Sequence, residues 1–167
     1  RLYFRENYII AVQDVRGKYM SEGEFEDVRP FGVGKTDEAT DAFDAIQWMI
    51  ENIPHNNGRV GVFGISYPGF YASMTGLSRH PALKAVSPQA PVTDWFMGDD
   101  FHHNGAFMLM DGFNFYSGFG KPRPKPTMQG NRGYRIEGSD NYDFYLKTGT
   151  LKDFARLMGD SIKFWKD

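Results

Sequence analysis

Arg59-Val-Gly-Val-Phe63-Gly-Ile-Ser66-Tyr-Pro-Gly69-Phe70 is a short apolar run that ends among small residues and continues into helix-compatible sequence up to about Leu77. Arg59 to Phe63 predicts a buried strand, and Gly64 to Gly69 predicts a tight turn from that strand into a helix. A serine on such a turn projects its hydroxyl above the sheet, and the first turn of the helix offers backbone donors to an oxyanion. The usual pattern for the turn is Gly-x-Ser-x-Gly. Here the second glycine comes one place later, at Gly69, with Pro68 where it is expected. From the pattern alone, Ser66 reads equally as a nucleophile and as a helix-capping serine.

Working outward, Leu83 to Ser87 predicts another strand after the helix. Upstream, Ala39, Ala42, Phe43, Ile46, Met49, Ile50 and Ile53 recur at three- and four-residue steps, predicting a helix that Thr36 can cap and that ends at Pro54. Further upstream, Tyr8 to Gln13 predicts a nearly continuous apolar strand of the kind buried on both faces of a parallel sheet. Residues 14 to about 35 carry turn formers and charge and read as a long loop. Strand, helix, strand, turn, helix, strand is the α/β pattern of a parallel sheet with helices on its faces. Both ends of the chain read as cut from something longer, because the first strand begins almost at residue 1 and the last residues, Phe164-Trp165-Lys166-Asp167, carry no capping signal.

The texture changes near Trp95. Residues 1–94 read as a partial sheet core with the Ser66 turn, and residues 95–167 as an aromatic-rich, mainly helical cap segment, with amphipathic pieces near Asp140 to Leu146 and Leu151 to Trp165. A lid over a site and a second small core are equal readings of those aromatics. The 167 residues suit one globular domain, and a net charge of −2 with pI near 6.1 offers nothing to nucleic acid or to an anionic membrane surface. No cysteine is present, which removes disulfides, thiolate catalysis and Cys-ligated zinc. The compartment stays open between periplasmic or secreted and cytoplasmic, as does the oligomeric state of the full-length protein.

A nucleophilic serine needs a general base, and His55, His80, His102 and His103 are the candidates. His55 falls at the wrong end of the strand and His80-Pro81 reads as a loop before the next strand; in the usual order for such a turn the acid and then the histidine follow the serine on later strands, and most of the 101 residues after Ser66 read as cap segment, so the acid and base are expected outside this chain. Gly34-Lys35-Thr36 resembles the end of a phosphate-binding loop, but that pattern requires glycine where Arg29 stands and a preceding strand, so helix capping explains it. Asp99-Asp100-Phe-His102-His103 has metal-ligand residue types, yet adjacent histidines point apart. A solvated acidic loop and a carboxylate site for a substrate ammonium group fit it better. No metal or cofactor is expected. Pro122 to Pro126 reads as a rigid loop.

Gln13-Asp-Val-Arg-Gly17, Ser21-Glu-Gly-Glu-Phe25 and Gly64-Ile-Ser-Tyr-Pro-Gly69, in this order, resemble the α/β-hydrolase family of X-prolyl dipeptidyl peptidases, cocaine esterases and glutaryl-cephalosporin acylases. That family writes its turn as Gly-x-Ser-Tyr-x-Gly, which accounts for the shifted glycine. His80-Pro-Ala-Leu-Lys84, Pro88, Pro91, Asp94, Met97-Gly-Asp-Asp100 and Gly105-Ala-Phe107 are most similar to its α-amino-acid ester hydrolase branch, and the resemblance runs from about Tyr8 to Trp165. It implies Ser66 as the nucleophile that forms an acyl-enzyme and the Tyr67 amide as an oxyanion donor. It implies Asp100, with Asp99 as the fallback, as one acid of a cluster holding the substrate's α-ammonium group.

The expected activity is therefore that of a serine hydrolase on small-molecule esters or amides of α-amino acids, including β-lactam acyl side chains. The alternatives are an X-prolyl dipeptidyl peptidase, a simple acyl esterase, or a non-catalytic binding module that keeps the turn for packing. Without a triad acid and base, this chain alone is expected to be inactive.

Overall fold

The computed structural model describes all residues except Arg1, Pro30, Ser139, Lys163, Phe164, Lys166 and Asp167. The described residues cluster into two compact units, the first drawn from positions 2–13 and 28–93, the second from positions 14–27 and 94–165.

In the first unit, α1 is a single turn over Leu2–Arg5 and α2 spans Glu38–Asn52. The cap of α2 is Asp37 rather than the expected Thr36. Its carboxylate accepts the Thr40 N–H at 2.8 Å and the Gly32 N–H at 2.9 Å, while the Thr40 hydroxyl accepts the Asp37 N–H. This reciprocal box satisfies donors that Thr36, one residue too early, would leave bare. Strands β1 (Val60–Ile65) and β2 (Leu83–Gln89) pair in parallel, from Val60 opposite Leu83 to Ile65 opposite Gln89. The connection is α3 (Tyr67–Leu77), which lies against both strands and against α2. Ala39, Ile46, Phe70, Ala72, Met74 and Ala82 form the buried apolar contacts of this unit.

The strand expected at Tyr8 to Gln13 is not formed. The segment joins no ladder, and Ile9, Ile10 and Val12 are 52%, 43% and 93% exposed. An apolar parallel strand is stable only between neighbours on both edges, and among the described residues none lies beside it. The same deficit leaves Phe63 and Ile65 of β1 exposed.

In the second unit, β3 (His102–His103) and β4 (Ala106–Phe107) form a short antiparallel hairpin followed by α4 (Leu109–Tyr116), α5 (Asn141–Thr148) and α6 (Leu151–Met158). The helix expected to continue to Trp165 stops at Met158 and passes into a 3-10 turn over Gly159–Ser161, as glycine after a helix's last turn favours. Lys163 and Phe164 of that expected helix lie outside the described residues. Phe113, Phe154, Met158 and Ile162 make the core of this unit, with Phe144, Tyr145 and Trp165 packed around it. Helical patterning predicted α5 and the start of α6, whereas α4 and the hairpin were not predicted, although Leu109, Phe113 and Tyr116 recur at helical spacing in α4.

Candidate active site

Ser66 sits where β1 turns into α3. Its N–H donates to Gln89 O at 2.9 Å, extending the parallel ladder one residue beyond β1, and its carbonyl accepts the Phe70 N–H as the first bond of the helix. Between these bonds the chain must reverse within one residue. Ser66 does so at φ 61° and ψ −121°, a conformation that costs a non-glycine residue about 1–3 kcal/mol. Its side chain makes no capping hydrogen bond and the residue is exposed. A serine selected only as a cap would take an extended backbone and accept from the helix's first amides. This one does neither.

The glycines on either side permit the turn. A Cβ on Gly64 would lie 2.1 Å from Pro68 O, and one on Gly69 would lie 2.7 Å from Gln89 O and 3.1 Å from Pro91 Cα. The second glycine therefore belongs at position 69, where α3 passes against the end of β2, and Pro68 occupies the first helical turn, where a missing N–H costs nothing. Tyr67 opens α3, so its backbone N–H belongs to the positive end of the helix, beside Ser66. Its side chain is buried against Phe70 and Tyr71.

The first unit contains two histidines, and neither is placed to serve Ser66. His80 is 2% exposed with both ring nitrogens engaged: Nδ1 accepts the Ala82 N–H at 3.0 Å, and Nε2 lies 3.0 Å from Gln47 Oε1. Accepting at Nδ1 fixes the proton on Nε2, which donates to Gln47, and the Phe43 ring packs at 4.5 Å. His55 precedes β1, whereas Ser66 follows it, so the six residues of the strand hold them about 20 Å apart.

In the second unit, Asp99 and Asp100 sit on a tight turn closed by the Asp99 N–H to His102 O bond of 3.0 Å. Asp99 is half-buried and its Oδ1 accepts the Asp100 N–H at 2.6 Å. Asp100 is exposed, and its carboxylate makes no hydrogen bond or ion pair among the described residues. Asp94 is spent differently: its Oδ1 accepts from the Phe96 and Met97 amides, which hold its carboxyl below the usual range. His102 lies between Phe96 and Phe107 with Nδ1 buried and unbonded. Among the described residues no three His, Cys, Asp or Glu side chains converge as a metal site, and no helix is long and apolar enough to cross a membrane.

Sequence reasoning missed the anchoring of residues 14–27. Asp27 accepts the hydroxyl of Tyr116 at 2.9 Å, and Tyr116, 1% exposed, has its acidity suppressed by burial and by that carboxylate. Arg123, inside the proline-rich loop, donates to Gly17 O at 2.8 Å and to Ser21 O. These partners are about a hundred positions apart, beyond the reach of any local pattern. The residues of the apparent phosphate loop do other work, with Arg29 pairing to Glu38 at 3.3 Å at the start of α2.

A sequence-family profile described as X-Pro dipeptidyl-peptidase (S15 family) matches residues 2–166. The chain belongs to that family. It is 37% identical to an α-amino acid ester hydrolase of known structure (TM-score 0.78) and 38% identical to an aminopeptidase from a marine sediment Thaumarchaeota archaeon (TM-score 0.79); each match covers 92% of this chain and 25% of the other. It is also 33% identical over 107 residues to the cocaine esterase of Rhodococcus sp. (strain MB1 Bresler), a match covering 64% of this chain and 17% of that protein. The chain thus spans about a quarter, or less, of the length of these relatives. At these identities the fold is that of part of an α/β-hydrolase, with β1, the Ser66 turn, α3 and β2 forming a parallel strand–turn–helix–strand unit of it.

Proposed function

We propose that this chain carries the nucleophile of a serine hydrolase acting on small-molecule esters or amides of α-amino acids, β-lactam acyl side chains among them. The observation that carries the reading is the backbone of Ser66, held at φ 61° between two glycines that tolerate no Cβ. Strain of this kind persists where a function needs it. In the proposed reaction the Ser66 Oγ attacks the acyl carbon while a base takes its proton. The Tyr67 N–H stabilises the oxyanion, and collapse expels the alcohol or amine as it regains a proton. Water then repeats the sequence on the acyl-enzyme. His80 and His55 are not the base. The triad histidine and acid are assigned to parts of the family's length that this chain does not span, so the segment alone is expected to be inactive.

Asp100, rather than Asp99, is the proposed ligand for the substrate's ammonium group. Asp99 already spends its carboxylate on its own turn, whereas that of Asp100 is uncommitted. The names of two relatives, an α-amino acid ester hydrolase and an aminopeptidase, describe proteins acting next to a free amino group and support this choice. The family description supports a second reading, an X-prolyl dipeptidyl peptidase.

Fluorophosphonate treatment of the full-length protein tests the nucleophile, with one adduct on the Ser66 peptide expected and none in Ser66→Ala. An adduct elsewhere, or none, overturns it. Asp100→Asn is expected to raise KM for α-amino esters by about tenfold and leave des-amino esters unchanged, the size expected for a lost charge-assisted hydrogen bond. Equal effects on both ester classes reject the ammonium role.

A further inference from the structure

The sequence contains two Asn-Gly pairs, Asn57-Gly58 just before β1 and Asn104-Gly105 between β3 and β4, and both asparagines are exposed. An asparagine followed by glycine is open to attack of the backbone on its own side chain, because glycine carries no Cβ to shield its amide nitrogen. The local fold treats the two pairs differently. At Asn57 the side chain is already folded over the next peptide: its Oδ1 accepts the Arg59 N–H at 3.1 Å, which lays the carboxamide over Gly58 and draws electron density from Cγ. The Gly58 N–H donates to Asn56 Oδ1 at 2.8 Å, and Asn56 Nδ2 donates to the carbonyls of Ile50 and Ile53. These side-chain bonds are exposed and can exchange with water without moving the backbone. Among the described residues neither Asn57 nor Gly58 makes a backbone–backbone hydrogen bond, and a Cβ on Gly58 would meet open space.

Asn104 and Gly105, at φ 49° and 83°, are instead the central residues of a two-residue hairpin turn closed by His103 opposite Ala106. Both of their N–H groups are bonded to backbone, Asn104 to Met97 O at 2.7 Å and Gly105 to Phe96 O at 2.8 Å. The Phe96 ring lies against Gly105, where a Cβ would come within 2.6 Å of its Cζ. The Gly105 nitrogen therefore cannot turn toward the Asn104 side chain without opening the hairpin.

We propose that Asn57 is a site of spontaneous deamidation, from which the hairpin protects Asn104. In this reaction the Gly58 nitrogen attacks Asn57 Cγ and a C–N bond forms. The bond from Cγ to the side-chain nitrogen breaks, and ammonia leaves with the proton that the Gly58 nitrogen gives up. One water then adds to either carbonyl of the five-membered imide and opens it to aspartate or isoaspartate. A carboxylate replaces a neutral amide, and in the isoaspartate product the main chain runs through the former side chain and is one carbon longer. The change falls just before β1 begins at Val60, so the entry to the strand that leads to Ser66 carries a mark that accumulates with the protein's age.

The test is incubation of the full-length protein at mildly alkaline pH, with both sites read in one sample by peptide mass spectrometry. Each product gains the mass of a hydroxyl in place of an amino group, and isoaspartate resists an endoprotease that cuts before aspartate. In the folded protein Asn57 is expected to convert at least about tenfold faster than Asn104, the protection that two backbone hydrogen bonds supply. Equal or slower conversion of Asn57 overturns the proposal. In denaturant, where the two pairs differ only in their flanking residues, the rates should converge. A tenfold preference that survives unfolding would place its cause in the flanking sequence and reject protection by the hairpin. No readout involves Ser66, so the outcome is independent of the serine hydrolase reading.

Discussion

The first unit concentrates its constraint in the six residues from Gly64 to Gly69, whereas the second spreads it over a cluster of aromatic rings. In the turn, backbone atoms approach so closely that two positions exclude any side chain and a third holds a strained φ. In the aromatic unit Phe113 alone packs against Tyr134, Phe144, Tyr145, Phe154 and Trp165, with ring centroids 5.1–6.1 Å apart. Backbone contacts of the first kind fix one geometry and fail abruptly. Ring packing of the second kind contributes area, and neighbouring rings can shift to share a loss.

Two substitutions should separate these modes. Gly64→Ala puts a methyl group 2.1 Å from Pro68 O and 2.4 Å from its carbonyl carbon, backbone atoms of the first helical turn that no side-chain rotation can move aside. It is expected to destabilise by more than about 4 kcal/mol, an effect confined to such mechanisms, and to remove any Ser66 adduct. Phe113→Ala opens a cavity in a unit that can partly collapse, so its cost should be about 3–4 kcal/mol. Denaturant titration gives the ordering, and hydrogen exchange gives the location. In the Phe113 variant, amides of α4, α5 and α6 should lose protection while those of α3 keep it. The reverse order of costs would mean that the turn is the softer region.

How much of this could be read from the sequence follows the same division. The Ser66 turn, with the helix that follows it, was legible because its constraints lie within six consecutive residues, and the periodicity of α2 was legible for the same local reason. Tyr8 to Gln13 misled because apolarity announces a strand without supplying its neighbours. The cap was placed at Thr36 instead of Asp37 because both residue types accept amides, and only the reciprocal bond with Thr40 chooses between them. The Tyr116–Asp27 and Arg123–Gly17 bonds were illegible because no local pattern links positions 89 and 106 apart. The Asp99-Asp100 pair was legible as a carboxylate pair, but the preference for Asp100 came from resemblance, and that Asp99 Oδ1 accepts the Asp100 N–H in its own turn could not be read from the sequence.

A smaller effect sharpens the reading of the turn itself. Ser66→Gly removes the penalty of a positive φ and keeps every backbone bond of the elbow. The variant should be more stable by about 1 kcal/mol, the lower end of the cost of such strain, while losing its fluorophosphonate adduct. Stability gained as the proposed nucleophile is lost would be the signature of strain kept for function. A variant that becomes less stable would show that the Ser66 side chain supports the fold.

The smallest expected effect concerns Asp37, whose carboxylate holds together the entry to α2. Burial works against its charge, yet the amides of Gly32, Thr40 and Ala39 and the Thr40 hydroxyl together hold its carboxyl below the usual range. A carboxyl whose folded value is depressed binds its proton more readily in the unfolded chain. Its contribution is complete above the ordinary Asp value near 4 and declines as pH falls through the folded value. Asp37→Asn keeps an acceptor for the Thr40 amide and removes the charge, so it should cost about 0.5 kcal/mol at neutral pH and flatten the acid limb of the stability profile. Asp37→Ala, lacking any acceptor, should cost about 1 kcal/mol at both ends of that range. If the Asn variant keeps the wild-type slope below about pH 4, the acid sensitivity arises from other carboxylates, and the cap acts through hydrogen-bond geometry with no contribution from its charge.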